Sequence, residues 1–91
     1  MTSGDIASPQ RAGDARNATL ALLDARAPGA TVCPSEVARA LAGDGGDWRA
    51  AMPVVHAAVD AMVADGVVRL SWKGAAMAVR AGPYRIGRGG A

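Results

Sequence analysis

Phenylalanine is absent from this chain of 91 residues, and two tryptophans and one tyrosine make up its aromatic content. A core without many rings must rest on aliphatic side chains, and alanine holds much of the apolar share. The candidate core is short: Leu20, Leu22, Leu23, Val37, Leu41, Trp48, Val59, Met62, Val63, Leu70, Trp72, Tyr84 and Ile86. Both tryptophans are expected inside, because a chain poor in rings gains most by burying them. One cysteine excludes an internal disulfide and fits a reducing, cytoplasmic setting. One histidine is no zinc site, since zinc takes three or four ligands at set spacing. Neither metal nor cofactor is expected, and no nucleophile-and-base pattern marks an enzyme. No run is long and apolar enough to span a membrane. The first ten residues carry no basic leader and no apolar stretch, so no secretory signal is expected.

Acid is missing from the C-terminal third. All eight acidic residues lie at or before Asp65, and beyond it stand Arg69, Lys73, Arg80, Arg85 and Arg88. A formal charge of +2 thus hides an acidic first part and a purely basic last part. One domain over residues 11–86 is expected, between disordered tails at 1–10 and 87–91 that offer little to bury.

The stretch from Trp48 to Gly66 organises the rest. Val55, Val59, Met62 and Val63 recur at i, i+4, i+7 and i+8, the spacing of one helical face. Asp47 is a good N-cap and Gly66 a good stop. Pro53 falls inside the pattern and predicts a short turn from Trp48, a bend, and a main helix from Pro53 to Asp65. An earlier helix is predicted from Arg11 or Asp14 to Ala27, ended by Pro28-Gly29. Pro34 suits the first turn of a second helix, and Val32-Cys33 before it is pushed to an extended bridge. After Gly66, Val68, Leu70 and Trp72 alternate with Arg69, Ser71 and Lys73, the period of a half-buried strand. Gly74 marks the turn, Met77 to Arg80 begin the return, and Tyr84-Arg85-Ile86 closes the sheet with Arg85 outward. The pattern is α+β: a winged helix-turn-helix, three helices with a small antiparallel sheet.

The runs Thr31-Val32-Cys33-Pro34-Ser35-Glu36-Val37-Ala38-Arg39, Trp48-Arg49, Met52-Pro53 and Gly82-Pro83-Tyr84-Arg85-Ile86 carry a resemblance. Over roughly residues 15–86 the chain resembles a bacterial family of small domains of unknown function. The resemblance implies a winged helix and lends no catalytic or binding residue.

The basic end points to nucleic acid. Phosphate neutralisation dominates DNA affinity, and Arg69, Lys73, Arg80 and Arg85 on a wing, with Arg49 and His56 from the helix side, are the candidate contacts. The plainer alternative is a solvated sheet face. Base readout wants Arg, Lys, Asn or Gln near the start of the third helix. Here Ala57 and Asp60 stand beside Arg49 and His56, so weak or non-specific binding to double-stranded DNA, in transcription regulation, is expected. A protein-interaction module that kept the fold and lost nucleic acid is the second expectation, and a monomer or weak dimer the expected state. His56 is otherwise a half-buried structural histidine. Cys33 precedes a helix start, which lowers a thiol pKa, but a buried structural thiol is the reading favoured by residue type. The glycines at 43, 45 and 46 lack the following Gly-Lys-Ser/Thr of a phosphate loop.

Overall fold

The computed structural model describes residues 9–89. Helix α1 spans Pro9–Asp24, three residues shorter at its end than the expected Ala27. The reason is Pro28: it has no N–H for the Asp24 carbonyl, and its ring crowds that oxygen. The chain turns instead, with Arg26 N–H donating to the Leu23 carbonyl at 3.1 Å. At its other end α1 begins inside the stretch given to the N-terminal tail; residues 1–8 lie outside the described residues.

Helix α2 spans Pro34–Ala42, with Pro34 in its first turn and Cys33 as N-cap. Gly46 closes the turn that follows, because a Cβ there would run into the Ala42 backbone. Helix α3 spans Trp48–Ala64 without a break. The separate short turn expected before Pro53 is instead part of one continuous helix. Pro53 is the sixth residue of the helix, so it forfeits one bond, to Arg49, while Asp47 Oδ1 caps the first turn from Ala50 N–H at 3.2 Å. Gly66 ends α3 at φ +75°. Its N–H meets the Val63 carbonyl and the Val67 N–H meets that of Met62, a left-handed cap that turns the chain back on itself.

Strand β1 (Val68–Trp72) leaves that cap and pairs antiparallel with β2 (Ala75–Met77) on one edge and β3 (Arg85–Arg88) on the other. Lys73 and Gly74 both take positive φ, 51° and 84°, the two-residue turn whose twist matches a hairpin. The return therefore starts at Ala75, two residues before the expected Met77. Val32 adds a single bridge to Ile86, as expected. β3 continues to Arg88 and Gly89 N–H donates to the Val67 carbonyl, so the expected C-terminal tail loses its first three residues to the sheet edge.

Helices cover one face of the sheet. Leu23, Val32, Val37, Val55, Val59, Met62, Leu70 and Ile86 are buried between them. Trp72 is the exception to the expected core. Its parity matches Leu70, but it sits at the hairpin end, opposite Ala75, and stays 39% exposed. The result is the α+β layout of a winged helix, three helices and a small antiparallel sheet. None of the described helices is long and apolar enough to cross a membrane.

Candidate nucleic-acid interface

In a helix-turn-helix the start of the second helix meets the duplex, so α3 comes first. Trp48 opens α3 and is half-buried against the core. Arg49, next in the helix, lays its guanidinium 4.5 Å from the indole centroid. Arg39, in the last turn of α2, lies 4.6 Å from the same ring. A cation over an indole is held by the ring quadrupole, worth about 0.5–1 kcal/mol at an exposed site. Neither arginine pairs with a carboxylate among the described residues. Two fixed positive groups thus flank the turn between α2 and α3. Arg39 was missed by sequence reasoning; its signal was an arginine in the last turn of α2, nine residues before Trp48.

Further along α3 the expected contacts are already engaged. His56 Nδ1 lies 2.7 Å from the Tyr84 hydroxyl. Burial pushes His56 below its ordinary pKa, helped by the nearby Arg80 charge. Burial pushes Tyr84 up to about 12. A neutral ring nitrogen accepting from a protonated phenol fits both shifts. Arg80 grips Asp60 with two bonds, 2.7 Å from Nε and 2.9 Å from Nη2, and Asp60 is pushed down by that contact. The pair offsets the negative charge of Asp60 on α3 and, with it, the phosphate contact expected of Arg80. The segment carrying Arg80 roofs a hollow of about 390 Å³ lined by Val63, Ala64, Leu70, Ala78 and Val79. Because Leu70 shares that hollow with Asp60 and Val63, β1 runs back along α3.

On the sheet, Arg69 faces Gly87 and Arg85 faces Ser71 across the β1–β3 pair. Both alternate with buried neighbours, Val68 and Leu70 for one, Tyr84 and Ile86 for the other. They therefore point away from the helices. Arg85 donates to Thr31 Oγ1 at 2.7 Å and to the Thr31 carbonyl at 3.2 Å. Arg69 and Lys73 are exposed and form no ion pair among the described residues. The six sequence-predicted residues therefore divide into three places. Arg49 lies at the start of α3, His56 and Arg80 are tied on its flank, and Arg69 and Arg85 lie behind the sheet with Lys73 at its tip.

The loop before α2 is locked by a different pair. Glu36 accepts two bonds from Arg26 and one from the Cys33 N–H at 2.8 Å. These bonds, the Arg26 ones first, hold its carboxylate down to about 2. Cys33 is half-buried, where a buried structural thiol is the reading favoured by residue type, with its sulfur 3.1 Å from Ser35 Oγ. No group of three His, Cys, Asp or Glu able to hold a metal occurs among the described residues.

A family model described as a protein of unknown function, DUF3253, matches residues 13–89. No curated protein matches the chain.

Proposed function

We propose a function for a chain that belongs to the DUF3253 family, described as a protein of unknown function: weak, sequence-tolerant association with double-stranded DNA. Support comes from one observation above others, the pair Arg39 and Arg49, held on Trp48 at the start of α3 and in no ion pair among the described residues, although Asp44 and Asp47 lie in the turn between them. Guanidinium groups prefixed on a ring lose little freedom when they meet phosphate. Lys73, at the hairpin tip, adds a third charge on the wing side. Beyond Arg49, which is held on Trp48, the exposed face of the first half of α3 offers Ala50, Pro53 and Ala57, none of which hydrogen-bonds a base edge, so phosphates rather than sequence are read. A role in transcription regulation would then need a partner or many copies to supply specificity. Fluorescence anisotropy of a random duplex at low salt tests this. Binding should be weak, indifferent to sequence, and lost as salt rises; binding that ignores ionic strength would sink it.

One feature favours a protein partner instead. Val79 is 71% exposed above an apolar hollow, and the Arg80–Asp60 pair removes two charges from that flank. A protein that co-purifies with the chain, and leaves on Val79→Asp but not on Arg49→Ala, would favour this second reading.

A further inference from the structure

We propose that the outer face of the sheet is a site for a terminal phosphate, in a hollow floored by Gly87 and walled by Arg69, Ser71 and Thr31. The hollow measures about 320 Å³. Gly87 makes it: opposite Arg69 in the register, it is the position where a side chain would otherwise fill the face. A Cβ there would meet the Thr31 methyl at 3.4 Å and the Arg69 carbonyl oxygen at 4.0 Å.

Four donor side chains border the space; one of them, Arg88, is already paired with Asp24. Arg69 brings a guanidinium with no acid partner among the described residues. Ser71 brings a hydroxyl. Thr31 accepts Arg85 Nε on its Oγ1, which leaves the Thr31 hydroxyl hydrogen free to donate. Behind that wall stands the Arg85 guanidinium, fixed on Thr31 by two bonds and facing no paired acid. Glu36 feels the Arg85 charge, and Arg26 is already paired with that carboxylate. No Asp or Glu lines the hollow. Arginine and hydroxyl donors around an acid-free hollow suit a tetrahedral oxyanion. Two arginines favour a dianion over the single charge of a phosphodiester. The ligand is thus free phosphate or a phosphate monoester, such as the 5′ end of a nucleotide. This site stands apart from the α3 surface and does not depend on duplex binding.

Amide NMR of the full chain, titrated at constant ionic strength, tests it with three probes: inorganic phosphate, a 5′-phosphorylated dinucleotide, and the same dinucleotide without that phosphate. The first two should shift Thr31, Arg69, Ser71 and Gly87 saturably, and the third should not; the tighter of the two identifies the source. Arg69→Ala should weaken binding about tenfold, and Gly87→Val, a residue at home in strands, should abolish it with the rest of the spectrum in place. Arg39→Ala/Arg49→Ala should leave it unchanged. Equal shifts from all three probes, no saturation, or unaltered binding in Arg69→Ala would overturn the site.

Discussion

Among the described residues Tyr84 is the only buried aromatic side chain, at 4% exposure, and its hydroxyl is paired with His56. Tyr84→Phe keeps the ring and removes that bond. It should cost about 1 kcal/mol in chemical denaturation. A variant as stable as the parent would show that the bond contributes nothing. Glu36 makes a second prediction at this scale. Its carboxylate titrates at about 2 in the fold against 4.5 ordinarily. A depressed carboxylate stabilises fully above pH 4.5, and that stabilisation is lost as pH falls through 2. With 32% of the side chain exposed, screening trims the effect to about 1–2 kcal/mol. Glu36→Gln should therefore flatten the stability profile between those two pH values. An unchanged slope would contradict the Arg26 contact.

Elements put the caps and the strap to the test. Gly66→Ala places a Cβ at φ +75° and should destabilise the α3–β1 junction by about 1–2 kcal/mol. The strap from Ala78 to Pro83 is held to α3 by Arg80 on Asp60, an exposed pair of small energy. Asp60→Asn should leave global stability within about 0.5 kcal/mol and yet speed amide exchange or proteolysis in that strap. Equal protection in both proteins would mean that packing alone holds it. Much at this scale was legible in sequence. The i, i+4, i+7, i+8 valines and Met62 fixed the buried face of α3, Asp47 and Gly66 its ends, and the alternation around Leu70 the inner face of β1. The single bridge at Val32 followed from Pro34. What failed had physical causes that lie outside local pattern. Trp72 has inward parity, but it stands at the hairpin end opposite Ala75 and stays exposed. Pro53 broke nothing because its lost bond lies early in a capped helix. The partners of Arg80 and Arg85 are 20 and 54 residues away in the chain, and no spacing rule announces them.

For the whole molecule, the basic C-terminal third does not act as one patch. Arg88 is paired with Asp24, Arg80 with Asp60, and Arg69 and Arg85 turn their backs on the helices. Sequence charge alone could not show this, because the acidic first part supplies the partners only once the chain is folded. What survives as a duplex surface is smaller: Arg39 and Arg49 on Trp48, with Lys73 at the wing tip. Each phosphate neutralised on duplex DNA contributes about 0.9 to the slope of log affinity against log salt. The decisive measurement is that slope for the parent chain and for Arg39→Ala/Arg49→Ala, by anisotropy on one random duplex. The double variant should bind more weakly and lose about 2 from the magnitude of the slope. A variant that binds as the parent does, with the same salt dependence, would contradict the account.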